Sequence, residues 1–202
     1  MARYTGPRSK ISRRFGVPIY GPSKALERRN FPPGVHGPKS RRKLSEYGTA
    51  LGEKQKLKYM YGVMEKQFRR YYEIAVQKRG VTGDTLLQLL ETRLDNVVFK
   101  LGFATSRRLA RQMVTHGHMR VNGRKASIAS MNLKAGDVVE VKDNPKSRRM
   151  ATMSLEASQL SPVPGWLTLD KDLFKGSVVR IPSREEIAPI VNERLVVELY
   201  SR

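Results

Sequence analysis

The 202-residue chain contains no cysteine. That excludes disulfides, a thiolate metal site and a thiol nucleophile. No run of about 18 apolar residues is present, so no segment reads as a membrane-spanning helix. The N-terminal stretch has no apolar segment of signal-peptide length, and secretion is not expected. Its Gly and Pro content also argues against the amphipathic helix of an organelle transit peptide. Acidic residues are scarce: 18 Asp and Glu stand against 39 Lys and Arg, for a formal net charge of +21. Hydrophobic residues make up 39%, enough for a modest core and low for a compact enzyme. There is no basic amphipathic helix of the kind that lies on membranes, so this charge points to nucleic acid.

The positive charge is concentrated where folding signals are weakest. Twelve of the first 45 residues are Lys or Arg and only Glu27 is acidic, which assigns +11 to this segment. Gly and Pro punctuate it at Gly6-Pro7, Gly16, Pro18, Gly21-Pro22, Pro32-Pro33-Gly34 and Gly37-Pro38. Its apolar residues (Ile11, Phe15, Val17, Ile19, Leu26, Phe31) are too scattered to form a core of their own. Such a segment repels itself and is expected to stay extended until a polyanion neutralises it, as when Lys and Arg replace counterions along phosphates.

Periodicity then sets in. Residues 46–79 read as two helices. Ser45 caps the first, with Tyr47, Leu51, Leu57 and Tyr61 toward one side and Gly62 as the break. Met64, Phe68, Tyr71 and Ala75 stripe the second, flanked by Lys66, Arg69 and Arg70, and Gly80 stops it. From Thr82 to Leu101 the leucines and valines recur at steps of three and four, as one long helix or as two meeting near Thr92. Thr105 or Ser106 caps a basic helix from Arg107 to His116. The pattern changes at Met119–Ala126, where Asn122-Gly123 signals a type I′ hairpin. Val138–Val141 alternates as a strand, Lys146–Leu160 reads as a helix, and Trp166–Leu169 and Ser177–Ile181 read as strands. Ser183–Glu186 has the form of a capping box opening a short helix limited by Pro189. Asn192–Tyr200 fits either helix or strand. No internal repeat is evident.

The most specific stretch is 93–141. It combines Arg93-Leu-Asp95, Ser106-Arg-Arg108, Ala110-Arg111-Gln112, His116-Gly117, Val121-Asn-Gly123 and Gly136-Asp137. Residues 106–125 hold six Lys or Arg, two His and no acid. Two short helices followed by a hairpin make a rigid edge whose arginine forks can grip an RNA backbone. Asp95 is expected to orient an arginine or cap a turn. His116 is expected either to end its helix or to meet phosphate. Within an RNA reading, three surfaces share the contact. The arm offers Arg3, Arg8, Lys10, Arg13, Arg14, Arg28, Arg29, Arg41 and Arg42. The helical segment offers Lys54, Lys56, Lys58, Arg69 and Arg70. The 93–141 stretch offers Arg107, Arg108, Arg111, His116, Arg120, Asn122 and Arg124. Tyr4, Phe15 and Tyr20 either stack on bases or anchor the arm.

These residues resemble the RNA-binding fold of the ribosomal protein S-four family, and the likeness extends along the chain. Met1–Pro7, Pro32–Gly37, Glu53–Leu57, Tyr61-Gly62, Gln67–Arg69, Gly80–Gly83, Arg93–Val97 and Glu198–Arg202 all look like the bacterial or plastid protein. The resemblance implies an α+β fold: a basic extended arm (1–45), a helical domain (46–92 completed by 183–202) and an inserted RNA-binding module (93–182) of two short helices plus an antiparallel sheet. It favours a helix for 192–200. It also implies early binding to 16S rRNA at a multi-helix junction of the 5′ domain, nucleation of subunit-body assembly, and a place near where mRNA enters. Ribosomal proteins S-three and S-five are the implied neighbours, with decoding accuracy affected at the S-five contact. The implied location is the small subunit in the cytoplasm, or the stroma of a plastid. No homo-oligomer and no membrane contact are expected. Many members of that family bind zinc through four N-terminal cysteines; here Ser9 and Ser12 match the first pair, so no cofactor is expected.

Three other classes fit less of the chain. An RNA-modifying enzyme such as a pseudouridine synthase would need a catalytic domain with an essential Asp, but Asp84, Asp170 and Asp172 fall at turns in short basic segments. A stand-alone RNA-binding factor acting on stalled or immature ribosomal subunits would share the 93–141 stretch without the arm and flanking helices. A DNA-binding protein would follow from charge alone, but no dimerisation seam is present.

Overall fold

A computed structural model describes residues 4–39, 44–157, 162–187 and 191–201. The fold is α+β, with a five-stranded antiparallel sheet. The chain divides into two compact units, Met1–Leu86 with Ala188–Arg202, and Leu87–Ile187. The second unit therefore interrupts the first in sequence. The first boundary falls inside the helix Thr82–Glu91 and the second at 187/188.

In the first unit the basic arm departs from the extended form expected of it. It contains α1 (Arg8–Phe15) and α2 (Lys24–Arg28), and Ile11 and Ile19 are buried. Its scattered aromatics find partners outside the arm: the rings of Tyr4 and Phe15 lie 5.2 and 6.5 Å from that of Tyr59. Tyr59 belongs to α3 (Glu46–Tyr61), whose first turn is capped by Ser45 Oγ accepting from the Gly48 amide at 3.1 Å. The buried face of α3 is Ala50, Lys54, Leu57 and Tyr61, at helical steps of four and three. Tyr47, expected on that face, is exposed, while Lys54 on the same helix is buried.

Lys54 is tolerated there because of α4 (Glu65–Gln77) and the C-terminal helix α9 (Glu193–Ser201). Its ammonium is 2.7 Å from Glu65 Oε1 and 5.5 Å from the centre of the Tyr200 ring. The Tyr200 hydroxyl donates to the same Glu65 oxygen at 2.8 Å, and Lys58 reaches Oε2 at 3.1 Å. The Tyr200 ring stacks on Tyr72 at 4.8 Å and on Phe68 at 6.0 Å. Phe68, Tyr71 and Ala75 form the buried stripe of α4, as its periodicity predicts, whereas Met64, expected on the same stripe, is exposed at the N-cap. Residues 193–201 are helical because α9 packs along α3, burying Val196. That packing outweighs the strand preference of Val196-Val197.

The second unit opens where a long helical pattern is split. α5 (Thr82–Glu91) and α6 (Leu94–Lys100) are separate because the 129–133 loop takes over their backbone hydrogen bonds. Leu94 donates to the Met131 carbonyl at 2.8 Å and Leu133 donates to that of Thr92 at 2.9 Å, leaving Arg93 extended. α7 (Arg107–Thr115) follows, with Ser106 Oγ as its cap. The sheet runs β2-β1-β3-β5-β4, from β1 (Met119–Val121), β2 (Arg124–Ala126), β3 (Val138–Val141), β4 (Leu167–Asp170) and β5 (Lys175–Val178). Asn122 and Gly123 both have positive φ, 51° and 76°, which makes the β1–β2 connection the type I′ turn the dipeptide favours. β5 begins at Lys175 and ends before Val179, two residues earlier at its start than expected. Gly176 within it is required by space, since a Cβ would lie 2.5 Å from Leu101 Cδ2.

α6 and α7 cover the sheet. Val97, Val98, Leu101, Ala110, Met113 and Val114 pack with Met119, Val139, Val141, Trp166 and Val178 in one buried cluster. α8 (Pro145–Ala157) adds Ala151; Leu160, where that helix was expected to end, lies outside the described residues. Ser183–Glu186 forms a turn and not a helix. Its capping geometry is nonetheless present, with Glu186 Oε2 accepting from the Ser183 amide at 3.0 Å while the carboxylate also pairs with Arg180. Pro189 lies outside the described residues.

The Glu65 cluster gives the first unit a pH signature. Partial burial raises the carboxyl's pKa, but hydrogen bonds from Lys54, Tyr200 and Lys58 outweigh it and hold the group down at about 2, against an ordinary 4.5. The folded-state pKa is depressed, so the stabilisation is complete above about pH 4.5 and is lost as pH falls toward 2. Thermal melts followed by helical circular dichroism at pH 7, 4.5, 3 and 2 should show this loss. Glu65→Gln should melt lower at pH 7 and change less between pH 4.5 and 2.

Candidate RNA-binding surface

The centre of the second unit's basic edge is an ion pair buried beneath it. Arg93 and Asp95 are 1% and 3% exposed, and the guanidinium grips the carboxylate with both Nε (2.9 Å) and Nη2 (2.6 Å). Arg111 of α7 reaches the same carboxylate at 3.5 Å. One turn earlier, Arg107 Nε donates to Asn96 Oδ1 at 2.7 Å, and its guanidinium lies 4.8 Å from the Phe99 ring centre. Asn96 is in turn fixed by donating to the Glu91 carboxylate (2.6 Å) and backbone carbonyl (2.8 Å). Two arginines four residues apart on α7 are thereby latched to acceptors at the start of α6. Asp95 orients arginines, as expected from its place in the motif.

The latch fixes which side of α7 faces out. Ala110, Met113 and Val114 are buried, Arg107 and Arg111 are half-buried along the flank, and Arg108, Gln112 and His116 are exposed. The helix ends through the His116 amide, which donates to the Gln112 carbonyl at 2.9 Å, and the imidazole remains exposed. On the hairpin, Arg120 is half-buried in β1, in register between Lys125 and Glu140, and Arg124 is exposed on β2. Asn122 differs from the rest of the predicted set. Its Nδ2 donates to Asp137 Oδ1 and its Oδ1 accepts from the Val138 amide, both at 2.9 Å, so its amide braces the turn.

The first unit's predicted cations divide in the same way. Arg8, Lys10, Arg14, Arg28 and Arg29 are exposed, as is Arg70; Arg69 is exposed beside Glu73 at 3.4 Å. Lys54 does not face solvent as predicted: it is 8% exposed and bound to Glu65. Lys56 pairs with Glu53, and Lys58 with Glu65. Arg13 is half-buried among backbone carbonyls. Arg3, Arg41 and Arg42 lie outside the described residues. Tyr4 and Phe15 anchor the arm to α3 through Tyr59.

Sequence reasoning passed over the basic side of α8, where Lys146, Arg148 and Arg149 are exposed. The run Lys146-Ser-Arg-Arg149 was the available signal. It also passed over His118, whose Nδ1 lies 2.9 Å from Ser147 Oγ and ties β1 to α8. Burial pushes the His118 imidazole below its ordinary pKa, reinforced by the nearby charges of His116 and Lys142. The residues at the cysteine positions do not suit zinc. Ser9 is exposed and Ser12 is buried on α1, and a hydroxyl is a poor zinc donor at neutral pH. Among the described residues no helix is long and apolar enough to cross a membrane.

An α6–α7–hairpin edge with basic side chains outward and their supports buried defines an RNA-binding module. Two family models match in succession: the Ribosomal protein S4/S9 N-terminal domain over residues 3–91 and the S4 domain over residues 92–139. Among curated proteins, the chain is 59% identical to small ribosomal subunit protein uS4 of Opitutus terrae and 57% identical to that of Akkermansia muciniphila. It is 51% identical to that of Cytophaga hutchinsonii, and all three matches cover 100% of both chains. The chain belongs to the uS4 family of small-subunit ribosomal proteins, whose members are structural components of the ribosome and not enzymes.

Removing the buried carboxylate tests the latch. Asp95→Ala takes away the carboxylate that neutralises the buried Arg93 and should destabilise the second unit by about 3–5 kcal/mol. Trp166, the chain's single tryptophan and 1% exposed, reports that unfolding by fluorescence in urea. Arg108→Ala, at an exposed site, should unfold within about 0.5 kcal/mol of the unaltered protein.

Proposed function

We propose that this protein is a primary 16S rRNA-binding protein that docks on a multi-helix junction of the 5′ domain and nucleates assembly of the small-subunit body. The observation that supports this reading is the sorting of the arginines. Arg93, Arg107 and Arg111 are held from within, so Arg108, His116, Arg120 and Arg124 stand on a rigid edge. A rigid cationic edge loses little entropy on meeting a helical backbone and recognises the shape of folded RNA. The exposed cations of the arm and of α4 add contacts that an isolated module would lack.

On this reading the protein lies near where mRNA enters the subunit, beside ribosomal proteins S-three and S-five, and supports accuracy of decoding. It works without bound metal, in the cytoplasm or in the stroma of a plastid, and without forming a homo-oligomer. The serines at the cysteine positions support metal independence.

The deciding measurement is binding of the purified protein to 16S 5′-domain RNA over a salt series, against structured RNA of equal length and unrelated sequence. Preference for the 5′ domain should persist at moderate salt. Equal affinities collapsing together would reduce the interaction to counterion release and sink the junction-specific reading. Arg108→Glu and Arg124→Glu should each weaken 5′-domain binding about tenfold and flatten the salt dependence. A zinc-selective chelator at constant free Mg2+ should leave the affinity unchanged.

A further inference from the structure

Arg13 is the one cation of the arm that the structure turns inward onto the arm's own backbone, among the described residues. Its Nε donates to the carbonyls of Arg29 (3.2 Å) and Phe31 (3.1 Å), and its Nη2 donates to that of Pro32 (3.3 Å). Its guanidinium carbon lies 4.9 Å from the centre of the Phe31 ring. These contacts join α1 to backbone 16, 18 and 19 residues further along. The turn that follows is tight: Gly37 donates to the Gly34 carbonyl at 3.1 Å, and a Cβ on Gly37 would collide with the Pro32 carbonyl oxygen. The third acceptor is therefore on a braced loop.

Three carbonyl oxygens directed at one point repel each other unless a cation sits among them. A guanidinium suits this position because it is planar, weakly hydrated, forked toward several acceptors and able to stack on an aromatic face. An ammonium keeps the charge and can sit over an aromatic face, but it is compact, strongly hydrated and lacks the planar fork. In a chain whose matching cysteine positions are Ser9 and Ser12, no zinc thiolate can gather the arm.

We propose that Arg13 is a positioning residue that closes the arm into a metal-independent fold and so presents Arg8, Lys10, Arg14, Arg28 and Arg29 to rRNA as a fixed set. The inference rests on the rRNA-binding reading above for its consequence, but the clamp itself is a property of the free protein. It differs from a phosphate contact in one measurable way. A phosphate contact depends on charge, which lysine preserves; a clamp depends on the fork, which lysine lacks.

The test uses the full chain with Arg13→Lys, Arg13→Ala and, as an exposed comparison, Lys10→Ala. Hydrogen exchange is read first in the free protein at the amides of Leu26, Glu27 and Arg29, which donate to the Ser23 and Ala25 carbonyls. Both Arg13 variants should exchange there about tenfold faster, Lys10→Ala should match the unaltered protein, and a chelator should change nothing. Binding to 16S 5′-domain RNA should fall about tenfold for Arg13→Lys with its salt slope intact, whereas Lys10→Ala should flatten the slope by about 0.7–0.9. Unaltered exchange and affinity in Arg13→Lys would overturn the proposal and leave Arg13 an ordinary phosphate contact. Loss of protection on adding chelator would overturn metal independence. If the unaltered protein shows no preference for the 5′ domain, the rRNA reading fails while the exchange data still decide the clamp. Trp166 fluorescence confirms that the second unit remains folded in each variant.

Discussion

The buried pair between Arg93 and Asp95 is the constraint on which the second unit's basic edge depends. A charge that is 1% exposed is tolerated only when a partner is close and its hydrogen bonds are met, and the Asp95 carboxylate supplies the charge partner and takes both Nε and Nη2. Because Asp95 also receives Arg111, the position of α7 is tied to the split between α5 and α6. That split exists because the loop before β3 takes over helical hydrogen bonds at Thr92 and Leu94. Backbone interception, ion pair and α7 thus form one connected arrangement, joined to the apolar cluster around Trp166 through Ala110, Met113 and Val114.

The chain's +21 charge is therefore not a uniform coat. Part of it is internal structure: Lys54 on Glu65, Arg93 on Asp95, Arg107 on Asn96 and Arg13 on three carbonyls. Each of these holds a helix or a loop in place. Another part, on Arg8, Arg14, Arg28, Arg70, Arg108 and Arg124 among others of the described residues, faces solvent. The scarcity of acid makes this division economical, since several of the few carboxylates that exist are committed to orienting cations.

Local chemistry was readable along the chain where a single residue type settles a conformation. Asn122-Gly123 specified its turn, Ser45 and Ser106 their caps, and Phe68-Tyr71-Ala75 the inner face of α4. The resemblance carried the fold class and the family. What could not be read was the direction of a cation. Lys54 and Lys58 look alike in sequence, yet one is buried because α9, over 130 residues away, brings Tyr200 against their shared partner. Arg13 and Arg14 are adjacent, and only one meets the carbonyls of residues 29–32. Periodicity registers apolar faces, so it placed Tyr47 inward and Lys54 outward on α3, the reverse of what charge pairing produces. The helices of the arm were hidden for a related reason: their apolar residues are too few to signal alone and are completed by Tyr59.

The order in which the two units appear in the chain also has a consequence for synthesis. Residues 87–187 lie between the halves of the first unit, and α9 brings Val196 and Tyr200 to α3 and α4. A nascent chain emerging in sequence order exposes every residue of the second unit before the strap that closes the first. The module with its own apolar cluster can collapse while the N-terminal helices still lack their final stacking partner. Until α9 is released, the inner faces of α3 and α4 stay uncovered and Lys54 and Glu65 lack Tyr200, leaving the highly charged half of the molecule to mature last.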